Sequence, residues 1–185
     1  KKIKDKFSVI GPHFTNASKK GHHQTNLKYK IKEIHNVHGS TMFFNKKIFN
    51  KNRGFDNNIF LYWEETDYNK RASKNGYQAY QLNLVKVMHE KGKAVRAINP
   101  IDKNKLKNLY TWHFIWSKFY YFNKHYGKLL SLMYFIPTLI RILYRMTTYK
   151  LLNSDKYIKY YCRWDGLISS IMNKKSLMRL DKIPT

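Results

Sequence analysis

The sequence predicts an α/β fold followed by a helical C-terminal region, and three observations support this prediction. Short apolar runs with strand-like composition occur in four places, at residues 7–10, 39–44, 77–82 and 85–88. A helix-forming segment, residues 67–75, separates the second run from the third and ends at Asn75-Gly76, a common helix stop. From about residue 103 the sequence becomes helical and aromatic.

The first predicted strand, residues 7–10, is expected to end in a turn at Gly11-Pro12. Residues 13–30 are polar and basic and are predicted to form a long loop. After the second run, residues 45–47 carry Asn and two Lys, which favours a turn. The strand predicted at residues 85–88 leads directly to His89.

The C-terminal region is rich in aromatic residues, with eight of them in the thirteen residues 110–122. Residues 129–144 form an apolar run in which Pro137 is expected to kink a helix. That run is 16 residues long and contains Arg141. A bilayer-spanning helix needs roughly 20 apolar residues, so we do not expect it to cross a membrane. Another helix is predicted over residues 156–172.

The composition describes a folded, strongly basic chain. Its 185 residues include 36 Lys+Arg and 11 Asp+Glu, a net charge of +25, while 43% hydrophobic residues argue against disorder. The excess positive charge is spread evenly along the chain, with a net charge of +13 in residues 1–98 and +12 in residues 99–185. Such a surface attracts nucleic acid, anionic lipid or phosphorylated substrates. The single cysteine, Cys162, excludes an intrachain disulfide framework and leaves no zinc-finger spacing.

The acidic residues are not spread evenly. Four of the 11, Asp56, Glu64, Glu65 and Asp67, lie in residues 56–67, where there is no Lys or Arg. Carboxylates that follow an apolar, aromatic run are typical of an acidic site at the edge of a packed core, where a general base or a cation is held. The alternative is a solvated loop or an ion-pair network with Arg71, which lies four residues after Asp67 on the predicted helix.

The acidic segment belongs to a longer ordered set of motifs. In chain order these are Gly39-Ser40-x-Met42, Gly54-Phe55-Asp56, residues 60–67 (FLYWEETD), Arg71, Gly76-Tyr77 and Val87-Met88-His89. Over about fifty residues, the set resembles the C-terminal half of the catalytic domain of family 2 glycosyltransferases, especially the bacterial rhamnosyltransferase-like branch. Similarity is weaker from residue 7 to residue 172.

The resemblance implies a GT-A fold, which is Rossmann-like, and transfer of a sugar from a nucleotide-sugar donor with inversion. It implies that residues 1–98 are the acceptor-side half of the catalytic domain and residues 99–185 a helical region in contact with a membrane. The family binds its donor through an N-terminal half that ends in Asp-x-Asp, and this sequence contains no Asp-x-Asp. We therefore expect the chain to be part of a larger enzyme and inactive alone.

The resemblance also implies roles for individual residues. Glu65 occupies the position of the family's catalytic base, although the family usually has Asp there. Glu64 and Asp67 occupy the positions of the acids that flank the base. The substrate-binding positions fall on Gly39, Ser40, Trp63 and Arg71. His89 matches the histidine at the end of the last core strand, where it would bind the metal; a structural histidine is the alternative. For Trp63, packing beside the acceptor site and stacking on a sugar ring both remain open.

The expected cofactor of the intact enzyme is a divalent metal, Mn²⁺ or Mg²⁺, because the leaving diphosphate needs positive charge. The expected partners are a nucleotide-sugar donor, a saccharide or lipid-linked acceptor used in cell-surface polysaccharide synthesis, and an anionic membrane surface. The expected location is the cytoplasmic side of the bacterial inner membrane, with residues 128–150 as a peripheral docking segment. The alternative for residues 110–150 is a set of helices that pack only on the catalytic core and on each other.

Two other function classes follow from the same sequence. A noncatalytic remnant or interaction protein would also lack the donor-binding half. A nucleic-acid-binding module would explain the net charge of +25 and the interleaved aromatic residues. No nucleic-acid partner is expected, because a dense group of carboxylates repels phosphates and no recognisable binding motif is present.

Overall fold

The computed structural model of the chain describes residues 6–15, 30–88 and 100–184. These residues form two compact units. The first contains residues 6–15, 30–56 and 64–88, and the second contains residues 57–63 and 100–184. The architecture is mixed α/β, as the sequence predicts, with the strands in the first unit and the long helices in the second.

The first unit is built on a mixed four-stranded sheet. Its strands are β1 (Phe7–Phe14), β2 (Ile31–Ile34), β3 (Phe43–Phe44) and β4 (Gln78–Val87). Their order across the sheet is β2-β4-β1-β3. The central strands β1 and β4 are parallel, while β2 and β3 pair antiparallel with their neighbours at the two edges.

Three strand predictions are wrong in their bounds. The run at residues 39–44 is a strand only at Phe43–Phe44, because the chain turns at residues 38–41, where the Thr41 N–H bonds the His38 carbonyl at 3.3 Å. Strand β1 does not end at Gly11-Pro12 but continues to Phe14. Strand β3 pairs only with Val9 and Ile10, so Pro12 lies beyond the last pair with β3, where its missing N–H removes no hydrogen bond to that strand. The runs at residues 77–82 and 85–88 form one strand, β4, which shifts register between its pairs with Pro12 and His13.

Residues 45–47 begin a helix rather than form a turn. The Asn45 side chain accepts a hydrogen bond from the Ile48 N–H at 3.4 Å, which caps helix α1 (Lys46–Lys51). The predicted helix at residues 67–75 is confirmed as α2 (Glu64–Lys74), which begins three residues earlier. The predicted loop at residues 13–30 lies largely outside the described residues.

Helix α2 ends as the sequence predicts. Gly76 has a φ of 81°. The Gly76 N–H bonds the Ser73 carbonyl and the Tyr77 N–H bonds the Ala72 carbonyl, both at 3.0 Å, which together form a Schellman motif. The buried face of α2 packs on the sheet, and the core of the first unit consists of Val9, Ile34, Val37, Tyr68, Ala72 and Ala79.

The second unit contains three long helices: α3 (Pro100–Tyr126), α4 (Lys128–Leu151) and α5 (Lys156–Ile171). Helix α5 confirms the helix predicted over residues 156–172. Helices α3 and α5 touch at Gly166, where a Cβ atom would lie 2.7 Å from the Trp112 carbonyl oxygen. A second core, formed by all three helices, contains Ile115, Phe119, Phe135, Ile142 and Leu167.

The end of the chain is held by a buried histidine of α3. The His113 Nδ1 lies 3.0 Å from the Ser176 hydroxyl, and its Nε2 lies 3.1 Å from the Met178 carbonyl oxygen. A carbonyl only accepts, so Nε2 carries the proton. Burial, the largest influence, lowers the pKa of His113. The ring therefore acts as a neutral connector between α3 and the C-terminal segment.

Helix α4 is longer than the apolar run suggests. It has 24 residues and continues through Pro137. By length and composition alone it is long and apolar enough to cross a membrane, a test that core helices of soluble proteins also pass. The expectation that this segment is too short to span a bilayer is therefore not supported by the length of the helix.

Candidate active site

The chain enters helix α2 through two strained residues. Tyr62 and Trp63 have φ angles of 64° and 71°, in the left-handed region that bulky side chains rarely adopt. Each such residue costs on the order of 1–3 kcal/mol, and strain of this kind clusters at functional sites. Within the second unit, the ring centroid of Tyr62 lies 5.7 Å from that of Phe114, and Trp63 lies 5.1 Å from Tyr121. These contacts hold the strained conformation, and they pack the Trp63 ring against α3.

Glu64 and Glu65 are the first two residues of α2. The N-terminal end of a helix carries partial positive charge and unpaired N–H groups, so it stabilises carboxylates there. Asp67, in the same turn, brings a third acid to this end of the helix. The local sequence therefore explains why three carboxyl groups gather on one turn despite their mutual repulsion.

The two glutamates are less ionised than exposed carboxyl groups. Burial, followed by the negative charge of Glu64, raises the pKa of Glu65 from an ordinary 4.5 to about 7. Burial likewise raises the pKa of Glu64. Within the described residues, Oε2 of Glu64 is buried and has no hydrogen-bond partner. The pair thus presents one carboxyl group that titrates near neutral pH and one acceptor oxygen that lacks a donor.

Gly39 lies against the Glu65 carboxyl group. A Cβ atom on Gly39 would sit 3.6 Å from Cδ of Glu65 and 3.7 and 3.8 Å from its two oxygens. These are ordinary van der Waals distances, so the Gly39 backbone lies next to the carboxyl group with no side chain between them. Ser40 follows, and its hydroxyl lies 2.9 Å from Nδ1 of His38, which also accepts the Ser40 N–H at 3.2 Å. The predicted residues Gly39 and Glu65 are therefore neighbours.

An amide network ties this loop to α2. The Asn69 amide donates to the Asn36 side-chain oxygen at 2.5 Å and to the Glu65 carbonyl at 2.8 Å. The Asn36 amide in turn donates to the Thr66 hydroxyl at 3.1 Å. Sequence reasoning missed Asn36, Asn69 and His38. Their one sequence signal is polarity beside the Gly39-Ser40 motif, which does not distinguish them from solvated loop residues.

Asp67 and Arg71 form the ion pair that their spacing predicts. The Arg71 Nε lies 2.8 Å from the Asp67 carboxylate, which is fully buried. The Arg71 guanidinium also donates to the carbonyl oxygens of Asn52 and Gly54, the latter at 2.6 Å. Gly54 needs its backbone freedom there, with a φ of 56°. The pair therefore fixes the turn at residues 52–54 against α2.

The structure groups the predicted site residues into two sets within the first unit. Glu65 lies beside Gly39, while Asp67 and Arg71 face the turn at residues 52–54. The predicted metal ligand, His89, lies outside the described residues. Among residues 6–15, 30–88 and 100–184, no group of three or more His, Cys, Asp or Glu side chains could hold a metal ion. These residues therefore do not supply a complete metal site.

No family model, no curated protein and no solved structure matches the chain.

Proposed function

We propose that this chain is the acceptor-side part of an inverting glycosyltransferase with a GT-A fold, of the family 2 type. The enzyme would move a sugar from a nucleotide-sugar donor to a hydroxyl of a saccharide or lipid-linked acceptor in bacterial cell-surface polysaccharide synthesis. The observation that carries the proposal is Glu65, whose carboxyl group lies beside Gly39 and has its pKa raised by burial to about 7. The motif order from Gly39 to His89 supports the same assignment.

Glu65 is the proposed general base. The acceptor oxygen attacks the anomeric carbon, its proton passes to the Glu65 carboxylate, and the bond from that carbon to the nucleoside diphosphate breaks. A base is most effective when its pKa lies near the working pH, because it is then both ionised and basic. A pKa of about 7 meets this condition, whereas an ordinary pKa of 4.5 gives a weaker base.

Glu64 is the proposed acceptor-binding residue beside the base. A buried acceptor oxygen without a donor costs about 1–3 kcal/mol. Oε2 is closed to solvent, so the proposal requires the Glu64 side chain to turn outward when the acceptor binds; a sugar hydroxyl would then donate to it and remove that cost. Asp67 and Arg71 are proposed as positioning residues, because their polar atoms are engaged with each other and with the turn at residues 52–54.

The donor nucleotide and its Mn²⁺ or Mg²⁺ are proposed to bind outside the described residues. When bound, the metal would neutralise charge on the leaving diphosphate. The described residues hold no complete ligand set, so we assign no step to a metal here. His89 remains the predicted ligand from this chain. If the donor site lies elsewhere, the chain by itself is expected to bind no nucleotide sugar. Micromolar binding of a nucleotide sugar in a calorimetric titration with Mn²⁺ present would contradict this.

The decisive experiment is the Glu65→Gln variant of the polypeptide that the whole gene encodes, assayed for sugar transfer. Loss of a positioned base lowers turnover by about 10²- to 10⁴-fold. The matched control is Glu33→Gln, which removes a carboxylate from an exposed position in the same unit. Turnover within about threefold of the unmodified enzyme for Glu65→Gln would overturn the proposal and favour a noncatalytic role.

A further inference from the structure

Helix α4 has one buried side and one unpartnered side. Its buried residues are Ser131, Phe135 and Ile142, and Phe135 packs edge-to-face on Phe119 of α3 with centroids 5.2 Å apart. The opposite side carries large apolar side chains that face outward. Among the described residues, nine of the 23 exposed large hydrophobic side chains lie on this helix: Leu129, Leu130, Met133, Tyr134, Ile136, Ile140, Leu143, Tyr144 and Leu151.

These side chains form a continuous stripe rather than isolated sites. The spacing of Leu129, Met133, Ile136, Ile140 and Leu143 is three or four residues, so they lie on one face of the helix. Their exposed fractions run from 36% to 72%. A contiguous apolar surface of this kind on a protein of net charge +25 marks an interaction surface. We call this stripe the α4 face.

Cations border the α4 face on both edges, and α4 contains no acidic residue. Arg141 lies along one edge, while Lys128 and Lys150 lie along the other. Arg145, one turn after Arg141, donates to the Tyr160 hydroxyl of α5 at 3.1 Å and so also joins α4 to α5. All four are exposed. The partner that fits is therefore apolar at its centre and anionic at its rim, which describes the interface of a bilayer with anionic head groups.

A full span through the bilayer does not fit the packing of this unit. The inner side of α4 packs against α3 and α5, which also carry Lys118, Arg163 and Asp165. Lys118 is itself partly covered by α4, with Nζ 5.4 Å from the Tyr134 ring centroid. Inserting α4 across hydrocarbon would either strip these contacts or carry charged neighbours into the bilayer, and both are costly.

A second copy of the chain fits less well. A symmetric dimer through the α4 face would bring the same four cations from each copy together without an acidic residue from α4. Like charges across such an interface repel, whereas anionic lipid neutralises them.

We propose that α4 docks in the plane of an anionic membrane surface, with the α4 face at the depth of the acyl-chain boundary and its bordering cations among the head groups. This inference does not rest on the proposed glycosyl transfer, because binding to lipid requires neither donor nor acceptor. It names the surface that would bring a lipid-linked acceptor to the enzyme if both proposals hold.

The test is co-sedimentation of the whole chain with vesicles of phosphatidylcholine containing about 30% phosphatidylglycerol, and with phosphatidylcholine alone, at low salt. Ile136→Ser/Ile140→Ser removes apolar area from the α4 face and is expected to weaken binding by about 10-fold or more. The matched control, Leu84→Ser/Leu177→Ser, removes two exposed apolar side chains elsewhere and is expected to bind normally. Circular dichroism checks that all variants fold.

A second pair of variants tests the charges. Arg141→Gln/Lys150→Gln removes one cation from each edge and is expected to weaken binding to anionic vesicles roughly 10- to 30-fold. Lys174→Gln/Lys175→Gln lowers net charge equally at exposed positions outside α4 and is expected to have little effect. Equal binding of the α4 variants and their controls would overturn the proposal. So would a dimer in light scattering that Ile136→Ser/Ile140→Ser dissociates, if vesicles are not bound.

Depth distinguishes docking from spanning. Spin labels at Leu129→Cys, Ile140→Cys and Leu151→Cys, made one at a time, cover about 33 Å of helix at 1.5 Å per residue. In-plane docking predicts the same shallow depth at all three positions, whereas a label buried at the bilayer midplane at position 140 alone would overturn it. Cys162 is buried and its pKa is raised to about 11, so it resists labelling.

Discussion

Gly39 and Glu65 are neighbours across 26 residues of sequence: a side chain on Gly39 would touch the Glu65 carboxyl group at 3.6 Å. Gly39 is a loop residue without a side chain, and Glu65 is the second residue of helix α2. Burial, followed by the charge of Glu64, raises the pKa of this carboxyl group to about 7. A carboxyl group with a pKa shifted in this way is a candidate for proton transfer.

The ionisation of Glu65 gives the first prediction. An NMR titration of the glutamate side chains is expected to show one carboxyl group with a midpoint near pH 7, assigned by its absence in Glu65→Gln. If Glu65 is the base, kcat/KM for transfer rises about tenfold per pH unit below this midpoint and levels above it. A Glu65 midpoint below about 5 would contradict the burial argument.

The same shift predicts a change in stability with pH. The folded-state pKa of Glu65, about 7, lies above the unfolded value of 4.5, so the folded state holds the proton more tightly. The contribution of Glu65 to the free energy of unfolding is therefore fully present below pH 4.5, and it is lost as the pH rises through 7. Glu65→Gln removes the carboxyl group and therefore the cost of ionising it in a buried position. We expect this variant to be more stable than the unmodified protein at pH 8 by about 1–3 kcal/mol.

Chemical denaturation at pH 4.5 and pH 8 measures this difference. Glu33→Gln serves as the control, because Glu33 is exposed and its substitution is expected to shift the two midpoints equally. The prediction fails if Glu65→Gln has the same stability relative to the unmodified protein at both pH values.

The Asp67–Arg71 pair gives a prediction about the turn at residues 52–54. Removing one partner of a buried ion pair leaves the other uncompensated, so we expect Asp67→Asn and Arg71→Gln each to lower the free energy of unfolding by about 2–4 kcal/mol. Arg71 is 20% exposed, so solvent reduces the loss below that of a fully buried pair.

A double-mutant cycle measured by denaturant unfolding isolates the pair. The double variant is expected to lose at least about 1 kcal/mol less than the two single losses added together. Lys74→Gln, at an exposed position of the same helix, is the control for loss of a helix cation. Additive losses would show that the two side chains act independently, contrary to the 2.8 Å contact.

Gly166 gives a prediction about the second unit. Alanine is favoured over glycine in a helix by about 1 kcal/mol, so an unhindered Gly166→Ala would stabilise α5. A Cβ at this position would lie 2.7 Å from the Trp112 carbonyl oxygen and 2.9 Å from Cγ2 of Ile115. We therefore expect Gly166→Ala to destabilise the protein by about 1–3 kcal/mol. A lower thermal unfolding midpoint for Gly166→Ala would confirm the clash, whereas a higher midpoint would show that helix propensity dominates.

Local signals in the sequence predicted several elements correctly. Helix α2 and its stop at Asn75-Gly76 follow from residues within one or two turns of each other, as does α5. The ion pair of Asp67 and Arg71 likewise follows from the i, i+4 spacing of a helix. Such features depend on neighbours in the chain, so their physics is visible in the sequence.

Other features depend on contacts between distant segments. The continuation of β1 through Gly11-Pro12 depends on its pairing with β4, which lies about seventy residues later. The left-handed Tyr62 and Trp63 are held by aromatic rings of α3, some fifty residues away. No short window of sequence contains both members of these contacts, so local patterns predicted a turn in the first case and nothing unusual in the second.

The acidic segment, residues 56–67, shows most clearly the difference between what local sequence determines and what tertiary contacts determine. The sequence by itself determined that four of the 11 acids lie together in a stretch free of Lys and Arg, and that one of them is spaced to pair with Arg71. The tertiary structure decided that Asp67 is buried in that pair, while Glu65 keeps a raised pKa beside Gly39. The reason is physical: residue type sets the charge a side chain can carry, but burial and neighbouring charge set the free energy of carrying it.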